Sequence, residues 1–241
     1  MSEYDFGFGL VPAYQHNNGQ GWVANTANVA ATAYVGPNAK VSGHAVVSDF
    51  ATISDDASVF GNAKISDNAK VREYAEVFGN ATIQDDAIIS GNAAVTGSAV
   101  VAGSSIVRKA SVVTGNAYVS DAFITDYCQV TGNSKVLGGK VEDYAFVTGN
   151  CMILDNAEVS GSARISGSAI LRDQARVRGK SKVHDHAEIT ENASVDDEAD
   201  IGGWSILGGK FKAKGKGRSN STERKKIKNQ KDFDDKPKKD K

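Results

Sequence analysis

The sequence predicts an all-β solenoid, on three observations. From Val23 to Leu207 a branched aliphatic residue recurs at almost every sixth position. Two residues before nearly every one of them stands Ala, Ser or Cys. Glycine, asparagine or aspartate stands between these pairs, and these residues suit sharp corners because they tolerate positive φ. A six-residue period fits neither a helix nor an irregular hairpin sheet, so the repeat predicts short strands joined by regular corners.

Each repeat is a short strand followed by a corner. In the repeat 59–64, alternation places Val59 and Ala63 on the inner side, and Phe60 and Lys64 on the outer side. Small residues are expected inside near the corners, where a large side chain does not fit. Two steps shorten to five residues, near Asp121 and near Gly138. They remove residues, so we expect them to tighten the coil rather than open a pocket.

This spacing resembles the hexapeptide-repeat, or left-handed β-helix, family over about three quarters of the chain. The resemblance implies threefold closure and a left hand, giving a single-stranded parallel β-helix of about ten triangular coils at ~4.8 Å per strand. The stretch 16–23, HNNGQGWV, is similar to the start of bacterial and phage repeat proteins. The resemblance therefore predicts the fold, and only hints at the origin.

Three segments are expected: an N-terminal cap at 1–21, the β-helix at 22–208 and a tail at 209–241. The first segment is rich in aromatic residues, and a solenoid needs a cap over its open edge. A peptide that docks the solenoid onto a larger assembly is the alternative interpretation of this segment. From Gly209 onward there are fourteen Lys or Arg and five Asp or Glu, a net of +9, which predicts a disordered basic tail.

No signal peptide or long apolar run is present, so the chain is expected in the cytoplasm of a bacterial cell, or attached to a virion. Cys128 and Cys151 both stand at small inward positions. We expect both to be buried and, because they belong to different corners, not to form a disulfide.

Outward apolar residues predict an interface. Solvated faces rarely carry such a run, and a contiguous apolar patch favours association with a protein partner or with further copies of the chain. We expect a homo-oligomer, with a trimer favoured. The predicted surface consists of Ile88, Val100, Ile106, Tyr118, Phe123, Leu137, Met152, Leu154 and Ile170.

An enzymatic alternative comes from the family resemblance, since many hexapeptide-repeat proteins are acyltransferases with sites between subunits and a catalytic histidine. The candidate bases are His44, His184 and His186. No looped-out segment interrupts the repeat, and two nearby histidines without a third ligand make no metal site. The favoured function is therefore a non-enzymatic scaffold, without cofactor or metal.

A second alternative is the binding of nucleic acid or another polyanion by the tail, with an affinity that falls as salt rises. The residues that would carry it are Lys210, Lys212, Lys214, Lys216, Arg218, Arg224, Lys225 and Lys226. Two kinds of corner residue form columns along the repeat. One column consists of carboxylates such as Asp49, Asp67, Asp85 and Asp121, and the other of the asparagines Asn62, Asn80, Asn116, Asn133 and Asn150. We interpret both columns as structural.

Overall fold

The computed structural model describes residues 2–227, and within them the chain is all β and contains no helix. The strands form a β-solenoid of about 11 turns. The fold class predicted from the repeat is thus confirmed. The chain divides into two compact units, unit 1 over Met1–Asp126 and unit 2 from Tyr127 onward.

Unit 1 contains twenty strands, most of them two residues long because a corner follows each one. They are β1 (Glu3–Asp5), β2 (Leu10–Gln15), β3 (Trp22–Ala24), β4 (Asn28–Val29), β5 (Tyr34–Val35), β6 (Lys40–Val41), β7 (Val46–Val47), β8 (Thr52–Ile53), β9 (Ser58–Val59), β10 (Lys64–Ile65), β11 (Lys70–Val71), β12 (Glu76–Val77), β13 (Thr82–Ile83), β14 (Ile88–Ile89), β15 (Ala94–Val95), β16 (Val100–Ala102), β17 (Ile106–Val107), β18 (Val112–Val113), β19 (Tyr118–Ser120) and β20 (Phe123–Ile124).

Unit 2 contains the remaining thirteen strands of the described chain, several of them longer. They are β21 (Gln129–Val130), β22 (Lys135–Val141), β23 (Phe146–Val147), β24 (Met152–Val159), β25 (Arg164–Ile165), β26 (Ile170–Leu171), β27 (Arg176–Val177), β28 (Lys182–Val183), β29 (Glu188–Ile189), β30 (Ser194–Val195), β31 (Asp200–Leu207), β32 (Lys212–Ala213) and β33 (Arg218–Ile227).

In unit 1 each strand of the repeat pairs in parallel with the strand three places away in sequence, so three strands make one turn. In unit 2 the long strands β22, β24 and β31 span two sides of a turn, so many partners there stand two places apart. Ile88 pairs with Ile106, eighteen residues on, and Ile106 pairs with Phe123, seventeen residues on. The second offset is the five-residue step near Asp121. The Gly138 step appears as a register shift between Gly138 and Lys140 in the β22–β24 pair.

The core of each unit is a column of the inward residues that the alternation predicts. Val59 and Ala63 in unit 1, and Ile153 and Ala157 in unit 2, are completely buried. Cys128 and Cys151 fill small inward positions, where each thiol donates a hydrogen bond to a backbone carbonyl. Burial raises the pKa of Cys151 to about 11, so its thiol stays protonated and unreactive at neutral pH.

The predicted cap is a β-hairpin. β1 and β2 pair antiparallel, and β2 pairs antiparallel with β3, the first strand of the repeat. The ring of Tyr4 stacks on Trp22 with centroids 4.6 Å apart. The hairpin thereby covers the edge of β3, whose backbone groups would otherwise be unpaired.

The corners carry residues with positive φ, chiefly glycine and aspartate. Asp85 adopts φ +60°, and its carboxylate accepts the backbone N–H of Gly103 one turn later, at 2.8 Å. Asp67 in turn accepts the N–H of Asp85. Asp121 instead accepts the N–H of Ser104, which lowers the pKa of its carboxyl group. The aspartate column therefore links consecutive turns.

Asparagine side chains form a second link, as the columns predict. In unit 1 the Asn62 side-chain amide donates to Asn80 Oδ1 at 3.1 Å, and in unit 2 that of Asn133 donates to Asn150 Oδ1 at 3.0 Å.

The solenoid continues beyond residue 208, the boundary expected from the sequence. β32 and β33 occupy part of the segment expected to be a disordered tail, and β33 pairs in parallel with β31. Their inward residues Ala213, Ser219 and Ile227 are buried. The repeat therefore runs to Ile227, and the rest of the predicted tail, 228–241, lies outside the described residues.

Candidate functional site

The predicted apolar surface of unit 1 consists of two outward columns. Ile88, Ile106 and Phe123 stand on consecutive strands of one side, in register. They point outward because the next residues, such as Ile89, are the buried ones. Val100 and Tyr118 pair in the same way on another column. All five side chains keep some exposure, and unit 1 thus presents apolar residues in rows at the strand spacing of about 4.8 Å.

A cation partly covers the end of the first column. The Arg108 guanidinium lies over the Phe123 ring at 4.6 Å, and Arg108 Nε donates to the Thr125 hydroxyl at 3.3 Å. Such a contact stabilises the arginine above the ring of Phe123.

Unit 2 presents a second apolar patch on the long strands β22 and β24. Leu137 pairs with Leu154, and Met152 pairs with Ile170. The patch ends at the next turn, where Arg172 stands eighteen residues after Leu154 and forms an ion pair with Glu188 at 2.8 Å. The surface residues predicted from the sequence therefore form two columns in unit 1 and one patch on β22 and β24 in unit 2.

Of the three candidate catalytic histidines, His184 is the most constrained. Its Nδ1 lies 2.8 Å from Asp185 Oδ2, and its Nε2 lies 2.7 Å from Asp200 Oδ1. Both ring nitrogens therefore face a carboxylate oxygen of the same chain. These two contacts orient the ring and occupy both nitrogens, whereas a general base must lie within hydrogen-bond reach of a substrate proton.

A glycine makes room for the His184 ring. A Cβ atom on Gly202 would lie 2.1 Å from His184 Cε1. The backbone N–H of Gly203 donates to Asp185 and, together with His184, lowers the pKa of that carboxyl group. Gly202 is thus required by the histidine one turn earlier, whereas Gly203 is required by its φ of +63° and by the Ser221 carbonyl, which would lie 2.1 Å from its Cβ atom.

His186 and His44 have other surroundings. His186 is exposed and stacks on Trp204, with ring centroids 4.0 Å apart and planes 8° from parallel. His44 is an exposed corner residue of unit 1. Within residues 2–227 no three His, Cys, Asp or Glu side chains converge in a way that would hold a metal ion.

Several of the basic residues expected to bind polyanions are instead paired within unit 2. Lys216 lies 3.6 Å from Glu198, Arg218 lies 3.6 Å from Asp200, and Arg224 lies 3.1 Å from Glu188. The side chain of Lys225 lies outside the described part. Those that remain exposed and form no ion pair among the described residues are Lys210, Lys212, Lys214 and Lys226.

Sequence reasoning missed a cleft in unit 2. Tyr127 and Tyr144 stack with their centroids 5.2 Å apart and their planes within 6°. Beside them runs a cleft lined by Tyr127, Gln129, Tyr144, Ala145, Phe146, Ser162 and Arg164. The sequence did contain a signal for the stack. Tyr127 and Tyr144 occupy the same position of the repeat, three residues before the inward valines Val130 and Val147.

Comparison of the sequence with family models and with curated proteins finds no match. In the part of the chain that the structure describes, no helical segment has the length and apolar character needed to cross a bilayer.

Proposed function

We propose that this protein is a non-enzymatic scaffold of the hexapeptide-repeat type that self-associates through its outward apolar columns and presents a regular surface to a protein partner. The observation that carries the proposal is the in-register stacking of apolar side chains, in particular Ile88, Ile106 and Phe123. Leaving such a row in water is unfavourable, by ~25 cal/mol for each Å² of apolar surface.

A second copy of the same chain is the occupant that fits this surface best. The side chains repeat at the strand spacing, so only a surface with the same repeat contacts every row at once. A further copy has that repeat by construction, and closed symmetry then limits the assembly to a defined number of subunits. The family resemblance favours three.

Charged residues would fix the register of the association. The unit 2 patch around Leu154 and Met152 borders the Arg172–Glu188 ion pair, which is costly to bury unpaired. The apolar rows supply the driving force, and the ion pair penalises displaced alignments.

The test is the solution mass of the full chain, measured by light scattering after size exclusion. We expect an oligomer that becomes a monomer in Ile106→Lys or Leu154→Lys, with an unchanged far-UV spectrum. Ser58→Lys is the matched control, because Ser58 stands in a different outward column, between Lys40 and Glu76, and lies outside the apolar rows. A wild-type monomer at micromolar concentration would overturn the proposal.

A further inference from the structure

The aromatic stack in unit 2 ends abruptly. Tyr127, Tyr144 and Ser162 occupy the same corner in consecutive turns, since their backbone N–H groups donate to Asp143, Gly161 and Gly179 respectively. The side chains of Tyr127 and Tyr144 are 58% and 65% exposed, so neither tyrosine contributes to the core. Ser162 has no ring, so the face of Tyr144 on that side has no aromatic neighbour in the column.

The cleft beside this stack is lined by a second column. Gln129, Phe146 and Arg164 pair in register on β21, β23 and β25, and their side chains point outward. The cleft has a volume of about 440 Å³, within the ~300–1,000 Å³ range of small-ligand sites. It therefore combines a ring face, amide and hydroxyl groups, and a guanidinium in one place.

The positive charge at this cleft is not neutralised. Within the described chain Arg164 forms no ion pair or side-chain hydrogen bond, and neither does Lys182, which follows it in the column. Other arginines of this region are compensated, since Arg176 and Arg178 both contact Glu158. An uncompensated guanidinium beside polar groups favours an anionic ligand, above all a carboxylate that accepts two parallel hydrogen bonds.

We propose that this cleft binds a uronic acid residue of an acidic polysaccharide. The sugar ring would continue the stack on Tyr144, because the electron-rich face of an aromatic ring attracts the weakly positive C–H groups of a pyranose. Arg164 would bind the carboxylate, and Gln129 and Ser162 would hydrogen-bond the ring hydroxyls. This site is independent of the apolar rows proposed for self-association.

A polysaccharide fits this site better than a nucleic acid. Affinity for nucleic acid comes mainly from many phosphate contacts along a basic track. Arg164 is the single cation in the cleft lining. The cleft offers one cation, one aromatic ring face, and two side chains, Gln129 and Ser162, that can hydrogen-bond hydroxyl groups. This set matches a sugar residue that carries one carboxylate.

The test is titration of the full-length protein with a short oligogalacturonate, followed by calorimetry. A neutral oligosaccharide and an oligothymidylate of similar length serve as comparison ligands. We expect binding of the acidic sugar alone, weakened at least about tenfold, or about 1.4 kcal/mol, in Tyr144→Ala and in Arg164→Gln. The two side chains are exposed, so neither change threatens folding.

Matched controls exist for both changes. Tyr74 is also 65% exposed at a corner, and no aromatic ring stacks on it in the described chain, so Tyr74→Ala is expected to bind like wild type. Arg176→Gln removes a cation that is already paired. Absence of binding to oligogalacturonate, equal binding of the neutral sugar, preference for the oligothymidylate, or unchanged affinity in Tyr144→Ala would each overturn the proposal.

Discussion

Unit 1 and unit 2 are alike inside and different outside. Both stack buried valine, isoleucine and alanine at their inward positions. On the surface of unit 1, Lys109 forms an ion pair with Asp126. Unit 2 has many ion pairs, including contacts of Glu158 and Glu188 with two arginines each. The repeat constrains the inward positions alone, so the outward positions are free to take on different chemistry in each unit.

The largest effect that can test the shared interior is a cavity in the core. Ile89 in unit 1 and Ile165 in unit 2 are fully buried. Replacing either with Ala removes three buried carbons and leaves a void, which costs about 2–5 kcal/mol. We expect similar losses in the two variants, measured by chemical denaturation.

The outward residue Val46 provides the control, since it lies outside the apolar rows proposed for association. Val46→Ala creates no internal void and is expected to cost less than about 1 kcal/mol. If one core variant proved as mild as this control, the two interiors would not be equivalent.

Much of this interior could be predicted from the sequence, because alternation and a six-residue period leave one arrangement for residues such as Val59 and Ala63. The end of the repeat could not be predicted in the same way. Ala213 and Ser219 stand where valine or isoleucine would be expected, and two extra residues precede Ile227. Lysine-rich composition then suggested disorder, although the inward positions were still filled with small or apolar side chains.

The candidate sites were less predictable than the core. Outward apolar residues such as Ile106 could be identified, because the alternation of inward and outward residues along each strand predicts the side on which they lie. The ion pairs that bound the patches could not, since they depend on long side chains meeting across turns. The tyrosine stack was missed because Tyr127 and Tyr144 stand at corners, where polar residues and glycine are the usual occupants.

A second, smaller effect compares corners. Gly61 in unit 1 and Gly161 in unit 2 adopt φ of +72° and +69°. A Cβ atom on either would lie 2.9 or 2.8 Å from the backbone nitrogen of the glycine one turn later. Gly61→Ala and Gly161→Ala should each cost about 1–3 kcal/mol, measured as a shift of the denaturation midpoint.

Ser98→Ala is the control for these corner variants, because Ser98 is an exposed corner residue that follows Gly97 and loses only its hydroxyl group in the change. A loss in only one unit would show that the corner, unlike the core, differs between them.

A third effect separates the units by pH. Asp185 in unit 2 has a lowered pKa, first because it accepts the Gly203 N–H and then because it contacts His184. A depressed pKa contributes stability above the unfolded value of about 3.9, and this stability is lost as pH falls through the folded value. Asp185→Asn should therefore lose less stability than wild type on acidification below about pH 4.

The expected difference is below about 1 kcal/mol, because the Asp185 side chain is half exposed and solvent screens it. Denaturation midpoints at neutral and acidic pH measure it. Asp86→Asn in unit 1 serves as the reference, because the Asp86 carboxylate accepts the side-chain amide of Asn68 instead of a backbone N–H. If wild type and Asp185→Asn lost the same stability on acidification, the Gly203 contact would not stabilise the protein through the Asp185 carboxylate.

The smallest effect tests the surface contrast itself. Glu188 accepts from Arg172 at 2.8 Å and from Arg224 at 3.1 Å, so Glu188→Gln leaves two guanidinium groups without their anion. Glu76 in unit 1 forms no ion pair among the described residues and is the matched control. We expect a loss of about 0.5–1 kcal/mol for Glu188→Gln and none for Glu76→Gln at low salt. High salt should reduce the difference, since exposed charges are screened within about 10 Å or less. If the stability loss in Glu188→Gln persisted in high salt, it would come from the packing of Glu188 and not from its charge. The ion pairs on the surface of unit 2 would then be a consequence of that packing.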